Sequence, residues 1–358
     1  MELHEYAGNM HNHTPYSDGV LYHDDLAKAA LRAGLDFLIV TDHNVWVQGP
    51  EGYHTNADGR HVLILTGEEI HDTNLHPEGS HLLVFGARSE LAAKAPDPQK
   101  LIDAVTMAGG LSFLAHPFER AAPILENATY SWRNWQVSGY TGMEIWNYMT
   151  EFKSLVTSRQ MALFYAYNPE IGIRGPFPET MQKWDALLTT GERVVAIGNS
   201  DAHGATYSMG PLSRCIFPYE FLYRAVNTHV LCDQEFSGDV PADKTLIYSA
   251  LREGCCFVGY DQPYSTRGFR FSGHNGTQSA VMGAEIQIGN GVTLKVVAPR
   301  QCNLRLIRHG RTVAQAQNSA QLTHAVTQTG AYRIEATIRF KARQRGWIFS
   351  NPIYVRPD

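Results

Sequence analysis

The chain has no apolar run near the roughly 20 residues needed to span a bilayer. Its longest such runs, around Leu35 to Val40 and Leu63 to Leu65, are strand-sized, so no membrane partner is expected. The opening residues, Met1-Glu2-Leu3-His4-Glu5, offer neither a basic start nor an apolar core, and no secretory signal is expected there. Cysteine is scarce: five residues (Cys215, Cys232, Cys255, Cys256 and Cys302), with no pair spaced C-x-x-C. That argues against a disulfide framework and a thiolate zinc site, and for a reducing, cytoplasmic setting. Three catalytic signatures are also missing, the G-x-S-x-G elbow, the G-x-x-x-x-G-K-[ST] loop and H-E-x-x-H. Charged residues make up only 18% and hydrophobic ones 44%, a balance that excludes a mainly disordered chain.

Acidic residues are rare at one end only. Residues 265–358 carry 13 Lys+Arg against 3 Asp+Glu, whereas residues 1–264 carry 17 against 32. A length of 358 residues suits two domains, and the charge break sets their expected boundary near Tyr264. The basic end has three readings: docking on the acidic part, facing another subunit of a homo-oligomer, or binding a polyanion. Docking ranks first, because the charges alternate with apolar residues and no nucleic-acid motif is present.

Over the first 260 residues short apolar runs alternate with amphipathic ones, as in an α/β domain. Strands are expected at Tyr6–His11, Phe37–Thr41, Val62–Thr66, Leu82–Phe85, Leu111–Ala115, Gly142–Trp146 and Val194–Gly198. Asp24 and Asp25 can cap a helix over Leu26–Ala33 that stops at Gly34, and Pro98 opens another that ends at Gly109 and Gly110. Residues 152–190 read as two inserted helices, the second starting at Pro178. Two more are expected near 219–231 and 241–253. Seven strands with intervening helices suggest a closed or nearly closed β/α barrel. Beyond residue 264, β-prone runs broken by Gly, Asn and Gln suggest a small all-β sandwich.

Histidine is what the chain has in excess. Eleven of its 16 histidines fall within the first 116 residues. Many sit at strand ends: His11-Asn12-His13 after the first, Asp42-His43 after the second, Glu68-Glu69 at the third, His116 after the fifth and Asp201-Ala202-His203 after the last. Residues i and i+2 of a strand face the same way, so His11 and His13 can grip one ion, and Asp201 and His203 project together. His81 stands at the opening end of its run, which puts that strand's boundary in question. Barrel enzymes place their chemistry at the C-terminal strand ends. Imidazole with carboxylate and no thiolate suits zinc, iron or manganese.

In these blocks (H-N-H-T-P-Y-S-D-G at 11–19, T-D-H-N at 41–44, G-E-E-I at 67–70, His81, A-H-P at 115–117 and N-S-D-A-H at 199–203) the sequence resembles the polymerase and histidinol phosphatase (PHP) superfamily. The tail, including Ile348-Phe349-Ser350-Asn351-Pro352-Ile353-Tyr354, resembles its carbaryl-hydrolase-like branch. The resemblance implies a distorted seven-stranded β/α barrel over 1–264, with a helical insertion at about 150–190, and a basic β-sandwich over 265–358. It implies two or three divalent ions (Zn, Fe or Mn). One would take His11, His13, Glu69 and Asp201; a second would share Glu69 and add His81 and His116; a third would take Asp18, His43 and His203.

Such a centre stays positive after its carboxylates are counted, so a small anionic substrate is expected, attacked by hydroxide bridging two ions. Asp201 would orient the hydroxide and accept its proton, and a histidine such as His203 would serve the leaving oxygen. The function implied is a metal-dependent phosphoesterase acting on a small phosphate ester or nucleotide. Hydrolysis of a carbamate, amide or carboxylic ester, or a non-catalytic metal-binding module, are the alternatives. Arg120, Arg133 and Arg174 fall in loops after the fifth and sixth strands, where a guanidinium could meet the anion. Glu144 and Asn147 could touch substrate or support the ligands, Asp42 could hold a ligating imidazole, and Glu68 would stand behind Glu69. His54, His61, His71 and His76 could line the pocket, but most of them are expected to be exposed or structural. Tyr130, Trp132 and Trp135 form a lid surface or a ring-stacking patch.

Overall fold

The computed structural model describes residues 3–122, 129–209 and 212–358. The first part runs β1 (His4–Asn9), α1 (His23–Ala33), β2 (Phe37–Val40), β3 (Gly52–Thr55), β4 (His61–Ile70), β5 (Leu82–Phe85), α2 (Pro98–Met107), β6 (Leu111–Leu114) and β7 (Gly142–Asn147). It continues through α3 (Tyr148–Leu155), α4 (Arg159–Tyr167), α5 (Pro178–Thr189), β8 (Val195–Asn199), β9 (Thr206–Met209), β10 (Leu212–Cys215), α6 (Tyr219–Tyr223), β11 (Val226–Cys232), α7 (Val240–Glu253) and β12 (Cys256–Tyr260).

The strands form a mixed sheet. β1, β2 and β4 are parallel neighbours, β5 runs antiparallel to both β4 and β6, and β6, β7 and β8 are again parallel. This reversal answers the question raised by His81. Leu82 opens β5 opposite Ile70 and Leu114, which close β4 and β6, so the start of β5 lies at the same rim as the ends of its neighbours. The strand boundary was sound; its direction is what the all-parallel expectation missed. The run returns to its start through one isolated bridge, Asn12 to Ala202, not through a continuous ladder.

Local chemistry explains most elements. Asp97 caps α2, its carboxylate accepting from Lys100 N, with Pro98 in the first turn. Gly34 ends α1 in the left-handed region. Asp24 and Asp25 stand in the first turn of α1, which begins at His23, and do not cap it. The insertion holds three helices where two were expected, and the span 219–231 is a short helix followed by β11. Val226-Asn227-Thr228-His229-Val230-Leu231-Cys232 pairs with β1 and β12 and is buried throughout, so two-sided burial hid its strand character. Phe37, Ile39, Leu63, Leu65, Phe85, Phe113 and Ile197 pack into one core beneath the rim.

From Arg270 onward every named element is a strand: β13 (Arg270–His274), β14 (Ser279–Val281), β15 (Glu285–Gln287), β16 (Val292–Arg308), β17 (Arg311–Val326), β18 (Gly330–Phe340), β19 (Arg343–Ser350) and β20 (Ile353–Arg356). β19 pairs with β12, so these strands share a ladder with the first part. Basic side chains reach across as well. Arg333 donates to both oxygens of Asp185 at 2.8 and 2.7 Å, Arg267 to Asp36 at 2.7 Å, and Arg345 to the carbonyls of Ile171 and Ile173. No helix among the described residues is long and apolar enough to cross a membrane.

Candidate metal centre

The rim brings together all nine residues that the sequence singled out as ligands. Their donor atoms fall into overlapping groups, each within 4.8 Å: His11, His13, Glu69 and Asp201; Glu69, His81 and His116; and His13, Asp18, His43 and His203. The last group includes His13, which the sequence had placed only in the first.

Distances inside the first group suit a shared cation. His11 Nε2 lies 3.0 Å from Glu69 Oε2 and 3.3 Å from Asp201 Oδ1; His13 Nε2 lies 3.4 and 3.2 Å from the same two oxygens. Ligands at 2.0–2.1 Å from a tetrahedral ion stand about 3.3 Å apart. In the second group His81 Nδ1 and His116 Nε2 lie 2.9 and 3.0 Å from the one oxygen Glu69 Oε1.

Second partners fix which nitrogen is free. Both oxygens of Glu144 lie within hydrogen-bond reach of His11 Nδ1, at 3.1 and 3.3 Å, and a proton on Nδ1 leaves Nε2 with its lone pair. Likewise His203 Nδ1 stands 2.9 Å from the carbonyl of Asp201, so a proton there leaves Nε2 to face Asp18 Oδ2 at 3.3 Å. Two of the nitrogens that face Glu69, His11 Nε2 and His43 Nδ1, are buried without a hydrogen-bond partner, whereas in His13, His81 and His116 the unpartnered nitrogen is the one turned away from Glu69. Each unpartnered buried atom costs about 1–3 kcal/mol, and a cation that takes its lone pair removes that cost. The donor set and the geometry therefore fit divalent ions.

Charge states divide the set: against their burial, neighbouring carboxylates raise His11 and lift His116 and His203 to about 9, so these rings hold protons that a cation would displace, whereas Glu69, Asp201 and His13 are already in the ligating form. Burial pushes the Glu69 carboxyl up, but His11, His43 and His81 hold it well below the usual range. Asp201 is likewise held down against its burial, chiefly by His11 and His13. Burial, with His203 and His43 nearby, lowers His13 to about 4, so its ring is neutral and able to ligate.

The backbone is bent to make this site. Asn44, Ser80, His116 and Asp201 all adopt positive φ (52, 59, 27 and 58°), and each is a candidate ligand or its neighbour. Such residues cost of order 1–3 kcal/mol each and cluster at functional sites. Gly19 folds the loop bearing Asp18 against His13, where a Cβ would meet the His13 carbonyl oxygen at 2.1 Å. Asp42 does not hold an imidazole. Its carboxylate accepts from Thr14 N, Thr14 Oγ1 and Ser17 Oγ, each at 2.7 Å, and so pins that same loop.

Several expected substrate contacts are elsewhere. Arg120 pairs with Glu179 at 3.0 Å over the Phe177 ring. Arg133 donates to the carbonyls of Pro77 and Glu78, anchoring the loop before His81. Arg174 offers its backbone N–H to Glu151, and its side chain is not at the cavity. Asn147 is buried, donating to Glu144 and Asp201 while its carbonyl oxygen caps α3. Glu144 accepts from His116 N and Asn199 too, so it supports the candidate ligands. Glu68 points away from Glu69; burial and the Glu90 carboxylate push it up to about 9. Trp132 is buried and Trp135 lies against Phe118, leaving Tyr130 as the member of that aromatic set at the cavity.

Above the ligands lies a cavity of about 540 Å³, lined by Ser17, Asn44, His71, Glu78, Glu119 and Tyr130 besides the candidate ligands. A larger one of about 620 Å³, between α1 and α6, contains none of them. His71, one of four histidines expected to be mostly exposed or structural, is buried and belongs to the site. Its position two residues after Glu69 on the same strand end was the available signal.

Residues 9–133 match the family model of the PHP domain. No curated protein matches the chain. Among solved structures, a two-domain protein from Bacteroides vulgatus, described as containing a predicted PHP-like metal-dependent phosphoesterase, is 15% identical with a TM-score of 0.46, over 98% of this chain and 95% of that one. A candidate metal-dependent phosphoesterase from Bifidobacterium adolescentis is 14% identical with a TM-score of 0.34, over 57% of this chain and 90% of its own. An amidohydrolase from Chromobacterium violaceum, solved with bound sulfate and no metal, is 13% identical with a TM-score of 0.28, over 57% and 92%. None of these comparisons distinguishes a branch of the family.

Proposed function

With a PHP domain at residues 9–133 as the premise, we propose that the chain is a metal-dependent hydrolase, a phosphoesterase acting on a small phosphate ester. The carrying observation is Glu69, whose two oxygens face His11, His13, His81 and His116 at 2.9–3.4 Å, an arrangement suited to joining two ions. The same reading takes the seven strands β1, β2 and β4–β8 as a distorted barrel, with residues 265–358 as a separate β-sandwich docked on it.

Divalent ions held by these groups supply positive charge for a developing oxyanion and acidify water. The residues supply the rest. Asp201, fixed through Oδ2 by the Asn147 amide at 3.3 Å, keeps Oδ1 at the ligand cluster to orient the attacking water and take its proton. Where His203 Nε2 holds a proton in place of an ion, it stands 3.3 Å from Asp18 Oδ2 and can donate to the leaving oxygen. A cavity of about 540 Å³ suits a small molecule.

A second reading, hydrolysis of an uncharged carbamate, amide or carboxylic ester, is favoured by the Glu78 carboxylate lining the cavity. Glu78 would repel a second anionic group on a substrate, while Glu119 is offset by Lys153 at 3.4 Å. Elemental analysis of the purified protein with a panel of phosphomono-, phosphodi- and carboxylic esters separates the readings. Turnover of phosphate esters is expected, falling about 10²–10⁴-fold in Asp201→Asn. Normal turnover by Asp201→Asn with normal metal content would sink the proton-transfer role, and turnover of carbonyl esters alone would select the second reading.

A further inference from the structure

His71 is absent from the three ligand groups described above, yet it occupies the same rim. It follows Glu69 by two residues at the end of β4, so both side chains project to one face. Its ring stacks on His81 at 4.4 Å and meets His43 edge-on at 5.0 Å. Donor atoms of His43, His71 and His81 lie within 4.8 Å of one another, a group with no carboxylate.

Each of these three rings has a buried nitrogen without a hydrogen-bond partner: His43 Nδ1, His71 Nδ1 and His81 Nε2. For His71 the other nitrogen, Nε2, lies 3.5 Å from Glu78 Oε2 and 3.4 Å from Asn44 Nδ2. Asn44 Oδ1 accepts from His71 N, so its Nδ2 is the donor facing Nε2; zinc at Nδ1 requires that long contact to yield and the Nε2 proton to turn to Glu78, the carboxylate–histidine arrangement that commonly stands behind a metal-bound imidazole. Arg133 and the Ser80–Ser131 backbone hydrogen bond hold the loop that carries Glu78. Three neutral imidazoles without a carboxylate suit zinc and its late first-row neighbours, and they suit manganese or magnesium poorly.

We propose that His43, His71 and His81 form a further zinc position at the cavity edge of the centre, with Glu78 supporting His71. A neutral ring has a lone pair on one nitrogen at a time, so His81 bound here through Nε2 gives up Nδ1 at Glu69, and His43 Nδ1 likewise turns from Glu69 to the zinc; zinc at this position therefore draws ligands from the carboxylate-bearing groups. Excess zinc therefore inhibits the manganese-loaded protein. The proposal rests on the metal-centre reading above.

The test loads the full chain with Mn²⁺, then titrates Zn²⁺, and separately Co²⁺ as a spectroscopic probe, into wild type and His71→Gln. Bound metal is read by elemental analysis and Co²⁺ by its visible absorption, with circular dichroism as the check of folding. Wild type should bind one more zinc equivalent than the variant and show a Co²⁺ band that the variant lacks. The zinc concentration giving half inhibition should rise about tenfold or more in the variant. Equal zinc stoichiometry and equal Co²⁺ spectra in a folded variant overturn the proposal. Should His71→Gln fail to fold, Glu78→Gln keeps the ring and removes its partner. It should weaken the last zinc equivalent about tenfold, and unchanged affinity overturns the proposal. A wild type that binds no divalent ion overturns the metal-centre reading with it. A wild type that fills the carboxylate-bearing groups without a His71-dependent equivalent overturns this proposal alone.

Discussion

Among the described residues, two buried sets of histidine and carboxylate are built differently. At the rim, His11, His13, His43, His81 and His116 each keep a buried nitrogen with no partner. In the other set, His229 on β11 has both nitrogens engaged: Nδ1 lies 2.9 Å from Glu5, and Nε2 lies 3.0 Å from both Asp261 and Thr266 Oγ1. Burial disfavours the His229 charge, but Asp261 and Glu5 outweigh it and raise the ring to about 9. The His229 set is complete within the protein, whereas the rim set keeps ring nitrogens that no side chain meets with a hydrogen bond. Composition alone treats the two sets alike; unpartnered atoms tell them apart.

The largest expected effect removes the hinge of the rim set. Glu69→Gln takes the charge from the oxygens that face five imidazoles, and activity should fall at least about 10³-fold with loss of bound metal. Metal analysis and turnover on the same sample check it. Retained metal with retained turnover breaks the comparison at its root. A smaller effect is expected one step out. Glu144→Gln leaves every ligand in place but weakens the hold on His11 Nδ1, and metal affinity should drop about 10–100-fold. Competition with a chelator measures it.

The two sets should also respond to pH with opposite signs. His229 has a folded pKa above its ordinary 6.5, so its contribution is complete below about pH 6.5 and is lost as pH rises through about 9. Ligating imidazoles must be neutral, so stabilisation by bound metal grows as pH rises. Melting temperatures from pH 6 to 10, with and without chelator, should separate a chelator-sensitive part that increases from a chelator-insensitive part that declines. In His229→Gln the declining part should flatten. Stability below pH 6.5 should drop by roughly 3 kcal/mol, because Asp261 and Glu5 lose their shared partner.

How far the sequence reached follows from the same distinction. His11, His13 and Asp201 were legible because strand-end spacing and block order require no tertiary knowledge. The reversal of β5 was not: nothing in Leu82-Leu83-Val84-Phe85 encodes direction, although His81 at its opening end was a clue. β11 was misread because a strand buried on both faces shows no alternation. His71 stands at the spacing that singled out His11 and His13, but the sequence sets it among four histidines that could line the pocket, and of these His71 is buried at the rim whereas His61 is exposed. The loop arginines could not be placed, since a guanidinium's partner depends on which loops meet.

Those arginines give the smallest expected effect, and it sharpens the comparison from outside both sets. Arg120 is 51% exposed and Glu179 50%, and their ion pair lies in solvent over Phe177. An exposed pair contributes about 0–1 kcal/mol, because water screens the charges and two long side chains lose freedom in meeting. Arg120→Ala should therefore leave kcat/KM within about threefold and lower stability by less than about 1 kcal/mol. A drop of about 100-fold in kcat/KM, confined to phosphate esters, would mean that the loop swings Arg120 from Glu179 to the substrate. The cavity would then carry a cation in the bound state, and the Glu78 carboxylate would no longer favour an uncharged substrate. Because Glu179 competes for that guanidinium, Glu179→Gln should then increase activity towards phosphate esters, and no change in that variant keeps Arg120 outside the site.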